Sequence, residues 1–193
     1  MYGQESFQEG YFAGNVGFRG FFAGFSPMIP FFGGFAIIYV MSNICMEKAV
    51  MASRKLTCLS CGQVNRVPED RLGAGPKCGT CGAGLISGKA VEVDLATLQK
   101  AARNDELPLV VDFWAPWCGP CRMMAPEFSK AAGVLSGQAR LVKLNTEDNP
   151  QAGALYNIRG IPTMAAFAGG RERKRQSGAM PAAGIVDWVK GAV

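Results

Sequence analysis

The spacing of the cysteines constrains this chain more than any other feature. Six of the seven cysteines form three Cys-x-x-Cys pairs, and the chain contains no histidine. Without histidine it has neither a Ser-His-Asp nor a Cys-His catalytic arrangement, and no mixed Cys/His metal site. Its sulfur chemistry must therefore involve metal-bound thiolates, disulfides or redox dithiols. The pairs are Cys58/Cys61, Cys78/Cys81 and Cys118/Cys121, and the seventh cysteine is Cys45.

The first two pairs predict a zinc site. They are separated by 16 residues, a spacing typical of four-thiolate zinc ribbons. Gly62 and Gly82 follow the two pairs, where a positive φ directs backbone amides at the sulfurs. Roughly 30 residues cannot build a sufficient apolar core, so a metal cross-link is expected. Four protein thiolates leave no open coordination position, which favours a structural Zn²⁺ over a catalytic one. Two disulfides or a second redox dithiol are the alternatives. The predicted ligands are Cys58, Cys61, Cys78 and Cys81.

Charge and aromatic content indicate which partners this segment takes. Four basic residues can offset the negative charge of a four-thiolate site, and zinc ribbons often bind nucleic acids or proteins. No aromatic residue lies between Cys58 and Cys81 to stack on bases, and a net charge of +5 is small for a nucleic-acid binder. We therefore expect no nucleic-acid partner. The four basic residues are Lys55, Arg66, Arg71 and Lys77.

The third pair lies in a different sequence context. Residues 109–114, LVVDFW, form a nearly unbroken apolar run that predicts a strand buried on both faces. The apolar spacing after Cys121 is helical, so Cys118 is expected at the N-terminus of a helix. The free amides and the positive dipole end at that position favour a thiolate. This context predicts a redox-active dithiol rather than a structural disulfide or half of a metal site.

The chain around this pair alternates between strand and helix patterns, which indicates an α/β domain. Asp94 is expected to cap the first helix, and Ile185, Trp188 and Val189 to form the buried face of the last one. The charged run at 171–175 is expected to protect an edge strand from pairing rather than to bind nucleic acid. The predicted strands are 91–93, 109–114, 140–145, 163–167 and 173–178. Four helices are predicted: one after Asp94, one after Cys121, one at 150–156 and one at 181–190.

Two segments resemble the thioredoxin family. Residues 110–121, VVDFWAPWCGPC, resemble its active-site strand and turn, and residues 157–163, NIRGIPT, resemble its cis-proline loop. The two N-terminal pairs are similar to those of the zinc-containing thioredoxins of bacteria. The resemblance implies a thioredoxin fold, a mixed central sheet flanked by helices, preceded by a small zinc ribbon. The corresponding segments are a ribbon at 55–86 and a thioredoxin domain at 90–193.

The resemblance also implies an activity, that of a general protein disulfide reductase. Cys118 would be the exposed nucleophile and Cys121 the buried resolving thiol. Asp112, a buried carboxylate with a raised pKa, would accept the proton of the resolving thiol, and Lys143 would be its partner on the adjacent strand. Pro162 would be cis, with the backbone before it open to an extended substrate. The apolar rim around Cys118 would consist of Trp117, Gly119, Pro120, Ile161, Gly178 and Ala179.

The residues alone leave several alternatives open. Asp112 can instead be a satisfied buried polar group, and Lys143 can extend to the surface. A redox-switched zinc-ribbon interaction or chaperone-like protein and a membrane-tethered oxidoreductase are alternative functions. Zinc is the only cofactor expected. The implied partners are disulfide-containing proteins and a separate reductase of the thioredoxin-reductase type, since the chain lacks a dinucleotide fingerprint.

Residues 1–50 differ in composition from the rest of the chain. Nine of the twelve phenylalanines lie between Phe7 and Phe35, and residues 20–46 carry no charge over a length sufficient to cross a bilayer. The basic residues that follow would leave the catalytic domain in the cytoplasm. Prolines and paired glycines in this run disfavour a spanning helix, and early acidic residues disfavour a secretory signal. We expect residues 1–50 to be a disordered or mis-called leader, with Met46 or Met51 as alternative translation starts. We therefore expect a cytoplasmic protein. The alternative is a membrane anchor at residues 20–46.

Overall fold

The computed structural model describes residues 52–192, so the predictions for residues 1–50 lie outside the described part. The segment that we call the ribbon, residues 52–86, contains a two-stranded antiparallel sheet. Strand β1 (Ser53–Thr57) pairs with β2 (Val64–Pro68), and a 3₁₀ helix follows at Glu69–Ala74. Four large apolar side chains and two of the cysteines make up the buried core around the ribbon. This core is too small to fold independently without a cross-link.

The C-terminal domain, residues 90–192, alternates strands and helices as predicted. Its strands are β3 (Val91–Glu92), β4 (Leu109–Trp114), β5 (Arg140–Asn145), β6 (Thr163–Ala168) and β7 (Arg171–Ser177). Its helices are α1 (Leu95–Asn104), α2 (Gly119–Val134), α3 (Gln151–Leu155) and α4 (Ala182–Lys190).

The five strands form one mixed sheet in the order β3-β5-β4-β6-β7. Strands β3, β5 and β4 are parallel, whereas β6 is antiparallel to β4 and β7 is antiparallel to β6. The predicted mixed sheet flanked by helices is therefore confirmed. Strand β7 begins two residues earlier than predicted, because Gly169 and Gly170 both adopt positive φ (60° and 76°) and make the turn directly before Arg171.

The two faces of the sheet are covered by different helices. Val110 packs with α2 and α4, whereas Val111 and Phe113 pack with α1 and α3. Because side chains alternate along a strand, Asp112 lies on the same face as Val110, the face covered by α2. The strand pattern thus directs Asp112 toward the helix that carries Cys121. Among residues 52–192, no helix is both long enough and apolar enough to cross a membrane.

The ribbon is attached at the N-terminal ends of β4 and β5. The Thr57 amide donates to the Asp105 carboxylate (2.7 Å). The Lys55 amide donates to the Glu106 side-chain carboxylate (2.8 Å), and the Glu106 amide donates to the Lys55 carbonyl (3.0 Å). Arg140, the first residue of β5, forms a buried ion pair with Asp105. The third cysteine pair follows the opposite end of β4. A six-residue strand spans about 20 Å, so β4 separates the ribbon from that pair by roughly this distance.

Candidate redox and metal sites

The two ribbon cysteine pairs adopt the same local turn. In the first, the Cys58 amide donates to the Gln63 carbonyl (2.7 Å) and the Gly62 amide donates to the Cys58 carbonyl (2.8 Å). The second repeats this with Cys78 in place of Cys58, at 2.8 and 2.9 Å. The turn needs positive φ at its glycine, and Gly62 and Gly82 have φ of 72° and 73°. Each turn therefore presents two sulfurs, as predicted.

The four sulfurs meet in one cluster. All four Sγ atoms lie within 4.8 Å of one another, and the separations between the turns are 3.6 Å for Cys58–Cys81 and 3.7 Å for Cys61–Cys78. A tetrahedral Zn²⁺ with sulfurs at about 2.3 Å sets its ligands about 3.8 Å apart. These thiols are not joined by disulfides. The donor set and the separations therefore fit zinc, and they do not fit the alternative of two disulfides.

The local backbone favours ionised sulfur in the ribbon. Amides of Cys81 and Thr80 lower the pKa of Cys78 to about 6, with the Thr80 nitrogen 3.4 Å from the sulfur. Burial opposes ionisation of Cys58, but hydrogen bonds from the Ser60 and Cys61 amides outweigh it and lower the pKa of that thiol. Because metals bind the thiolate rather than the thiol, these amides prepare Cys58 and Cys78 for a cation. The Gln63 amide favours ionisation of Cys61 as well, but hydrogen bonds with the other ribbon thiols and burial raise the pKa of Cys61 to about 12 without a metal.

The third pair forms a disulfide at the strand-to-helix turn. Cys118 and Cys121 are covalently joined, and Cys118 is the N-cap of α2. The Cys121 amide donates to the Cys118 sulfur (3.2 Å), and Pro120 occupies the first helical turn, where its missing N–H is tolerated. The positive end of α2 is therefore directed at the Cys118 sulfur, as the sequence predicted.

The predicted exposure of Cys118 was wrong for this oxidised state. Cys118 is 5% exposed and Cys121 is 1% exposed. The Cys118 sulfur is bonded to Cys121 on one side and lies 3.8 Å from the Ile161 carbonyl oxygen on another. Cys118 remains the more accessible of the two. Trp117, directly before it, is 69% exposed and forms the most exposed apolar surface of this region.

Asp112 is a buried carboxylate without a hydrogen-bonding partner. Asp112 is fully buried, and neither of its carboxylate oxygens has a hydrogen-bonding partner in the described part of the chain. Burial raises the pKa of Asp112 to about 7, and the positive charge of Lys143 partly opposes the rise. No protein group of residues 52–192 therefore satisfies this carboxylate, which argues against the alternative of a satisfied polar group. A carboxylate in this state can accept a proton near neutral pH.

Lys143 pairs with Asp112 in the strand register, but its side chain contacts Trp114. The parallel register of β4 and β5 pairs the two backbones, as the resemblance implied. The Lys143 ammonium lies 3.9 Å from the centre of the Trp114 ring, a cation–π contact, and no ion pair to Asp112 exists within residues 52–192. Lys143 thus acts on Asp112 through its charge. This role of Trp114 was not predicted, because a tryptophan in an apolar strand has the pattern of a packing residue.

The proline loop closes the other side of the redox turn. The Ile161–Pro162 peptide is cis, and Pro162 is buried. The Gly178 amide donates to the Pro162 carbonyl (2.9 Å), and Gly178 has φ of 96°, which favours glycine. Ile161 is half-buried with its carbonyl near the Cys118 sulfur, so loop and turn meet. Of the other predicted rim residues, Gly119 is half-buried, whereas Trp117, Pro120, Gly178 and Ala179 are exposed.

The sequence did not indicate how the ribbon is attached to the C-terminal domain. Asp105 is buried and holds both the Thr57 amide and the Arg140 guanidinium. Desolvation raises the pKa of Asp105, and the Arg140 charge opposes that rise. These residues come from three segments that are distant in the chain. The local signals were an acidic residue directly after a helix and a basic residue at the start of a strand, which are too common to interpret alone.

Family comparisons cover both sites. Residues 89–191 match the model described as thioredoxin, and residues 57–83 match the model described as the N-terminal region of thioredoxin 2. The first range includes the redox pair, Asp112, Lys143 and Pro162, and the second includes all four ribbon cysteines.

Individual relatives give the same result. Thioredoxin C-3 of Corynebacterium nephridii is 37% identical over 134 residues, which is 69% of this chain and 92% of that protein. Thioredoxin 1 of Nostoc sp. is 44% identical over 92 residues, 48% of this chain and 86% of that protein. The crystal structure of chloroplastic thioredoxin z superposes with a TM-score of 0.50 at 32% identity, covering 54% of this chain and 94% of that one.

Proposed function

Because the chain belongs to the thioredoxin family of thiol-disulfide oxidoreductases, we propose that it is a general protein disulfide reductase whose dithiol is Cys118/Cys121. One observation carries this proposal: a disulfide at the N-terminus of α2, on the sheet face that also holds a buried carboxylate of pKa about 7. The disulfide is the oxidised end point of the cycle. Reduction of client proteins starts from the dithiol.

The exchange transfers two electrons from the Cys118/Cys121 dithiol to the client disulfide and needs no organic cofactor. The Cys118 thiolate attacks one sulfur of the client disulfide, and the other client sulfur leaves as a thiolate. Cys121 then attacks the Cys118 sulfur and releases the second client thiolate, which forms the Cys118–Cys121 disulfide. The client gains two electrons and the dithiol loses two. A separate reductase of the thioredoxin-reductase class then returns both electrons to the disulfide.

Asp112 serves the second attack. Cys121 must lose its proton before it attacks, and a carboxylate with pKa near 7 is a suitable acceptor at neutral pH. The helix amides stabilise the Cys118 thiolate that makes the first attack. The cis-proline loop presents backbone groups beside the Cys118 sulfur for an extended client segment.

We assign a structural zinc to the ribbon, held by the four cysteine thiolates. Zinc would supply a cross-link between the two turns and, with four protein ligands, no open position for chemistry. The matching turns, the sulfur separations and the lowered pKa values of Cys58 and Cys78 support this assignment. Zinc thiolates and a reducing dithiol suit a compartment that keeps thiols reduced, so we propose a cytoplasmic location. Fractionation of native cells into soluble and membrane portions tests that location.

Serine substitutions at the two sulfur sites test the function. Cys118→Ser should abolish reduction of a protein disulfide, whereas Cys61→Ser/Cys81→Ser should retain most of it, because β4 separates the sites. Metal analysis of the purified full chain should return about one zinc per molecule, and this zinc should be lost in the ribbon variant. Activity that survives Cys118→Ser and follows the ribbon cysteines would instead support a redox-switched ribbon protein.

A further inference from the structure

Residues 52–90, the ribbon and the four residues after it, carry a surplus of basic side chains. Residues 52–90 contain six basic and two acidic side chains, a surplus of four that the proposed four-thiolate zinc site, with a charge of about −2, reduces but does not cancel. In the C-terminal domain, basic and acidic residues nearly balance. Charge concentrated on one small module produces a local field that attracts anions to that module.

Three of these basic side chains line a single cleft. A cleft of about 420 Å³ lies between β2 and the loop that leads into the second cysteine turn. Its basic residues are Arg66, Arg71 and Lys77, and its other lining residues are apolar or small, among them Pro68 and Pro76. All three basic residues are exposed, so they can meet a partner from solvent.

The cleft lacks a counter-charge of its own. No salt bridge or side-chain hydrogen bond engages Arg66, Arg71 or Lys77 within residues 52–192. None of the lining residues described for the cleft is acidic. The nearby Glu69 carboxylate is already bound by Arg54 (2.6 Å). Asp70 is exposed on the same 3₁₀ helix but does not line the cleft. Three like charges therefore line one concave surface, and no carboxylate of residues 52–192 is paired with them.

We propose that this cleft binds an acidic, extended segment of a partner protein. Carboxylates of successive Asp or Glu residues can pair with the three cations, while the peptide backbone lies against the proline-lined wall. Single-stranded nucleic acid fits less well, because the ribbon has no aromatic residue on which bases can stack. Three charges are also few for a duplex, whose binding depends on many phosphate contacts.

The position of the cleft separates this role from disulfide exchange. The ribbon attaches at the N-terminal ends of β4 and β5, whereas the redox turn follows the C-terminal end of β4. A partner seated on the ribbon therefore leaves the redox turn free. The inference stands independently of the proposed reductase activity, since it uses none of the groups that carry electrons.

Binding of a defined acidic probe tests the proposal. The probe is a fluorescently labelled peptide of ten glutamates, titrated with the full zinc-loaded chain at low salt and followed by anisotropy. The triple variant Arg66→Gln/Arg71→Gln/Lys77→Gln should weaken binding by about 3- to 100-fold, since each of the three exposed ion pairs contributes a factor of roughly 1.4 to 5. The control Arg103→Gln/Arg171→Gln/Lys190→Gln removes the same charge from the C-terminal domain and should change affinity less than twofold.

The outcomes are distinct. Equal weakening by both triple variants would show only general charge attraction and would overturn the proposal. Tighter binding of an oligothymidine probe than of the glutamate peptide, lost in the cleft variant, would assign the cleft to nucleic acid and overturn it as well. If the triple cleft variant loses its zinc, the single variant Arg71→Gln is titrated with the same peptide instead, because Arg71 is seven residues from the nearest cysteine. Unchanged peptide binding by Arg71→Gln overturns the proposal. Disulfide reduction measured on the same variants should be unchanged, so a failure of the reductase assignment is recognised separately.

Discussion

Asp112 shows how a single side chain links function to stability. Its carboxylate lies on the covered face of a five-stranded sheet with no hydrogen-bonding partner in the described residues, and burial raises its pKa from 3.8 to about 7. In the unfolded chain the same group ionises near pH 4. Between these two values the folded protein binds the additional proton. Folding stability therefore falls as pH rises from about 4 to about 7.

Asp112→Asn should remove this loss of stability. We expect the oxidised variant to be more stable than the oxidised parent at pH 8, by up to about 4 kcal/mol, and the difference to shrink toward pH 4. Urea unfolding of both proteins at several pH values measures it. Asp187→Asn, at an exposed site on α4, is the matched control and should leave the pH dependence unchanged. A parent protein that gains stability between pH 4 and pH 7 relative to Asp112→Asn would contradict the raised pKa.

Lys143 and Trp114 should shift the pKa of Asp112 in opposite directions. Lys143→Met removes the positive charge that lowers this pKa, so the pH midpoint of the stability difference should rise above 7. Trp114→Leu removes the ring that holds the ammonium, and the freed lysine can approach the carboxylate and lower the midpoint. Fluorescence of the remaining tryptophans or the Asp112 carboxyl NMR signal follows the titration. A shift in the same direction for both variants would show that Trp114 does not position Lys143.

At the scale of elements, local sequence patterns were sufficient to predict strands and helix caps that depend mainly on their own residues. Strand β5 was predicted with the bounds that it has, because an apolar run lies between polar ends. The Asp94 cap was also correct, since the Asp94 side chain accepts the Thr97 amide (2.7 Å). The oxidised pair was less exposed than expected, because the proline loop comes from more than 40 residues away and covers Cys118.

Contacts between distant segments were not predictable in this way. The Asp105–Arg140 pair joins the end of α1 to the start of β5, 35 residues apart, and the Thr57 amide joins it from the ribbon. Each residue alone has the pattern of a surface charge. Likewise, the register could place Lys143 opposite Asp112, but only packing shows that its ammonium lies on Trp114. Side-chain partners across the sheet depend on geometry that the local pattern does not contain.

Removing one member of the buried ion pair should weaken the attachment of the ribbon. In Arg140→Met, Asp105 keeps the Thr57 amide but loses its counter-charge in a buried position, which costs about 3 kcal/mol. The expected result is a lower urea midpoint and faster amide hydrogen exchange in β1. Lys130→Met, which breaks the exposed pair with Glu127, is the control and should change stability by less than about 1 kcal/mol. Equal effects of the two substitutions would argue against a role of Asp105 in attaching the ribbon.

At the scale of the whole molecule, the two sulfur sites lie at opposite ends of β4. We expect a strong chelator under reducing conditions to unfold the ribbon and to leave the initial rate of disulfide reduction within about twofold, because only the attachment end of the sheet is disturbed. Hydrogen exchange should increase in residues 52–86 and remain low in β4 and β6. Parallel loss of activity and of protection in β4 would show that the C-terminal domain depends on the metal.

The length of β4 has a consequence for how the protein meets an oxidant. A disulfide requires sulfurs about 2 Å apart, and about 20 Å of rigid strand lies between the ribbon and the redox turn. An oxidising equivalent taken up at one end therefore cannot be handed to the other within the same molecule. In the proposed cycle, the ribbon thiols and the redox dithiol therefore react with oxidants independently of each other.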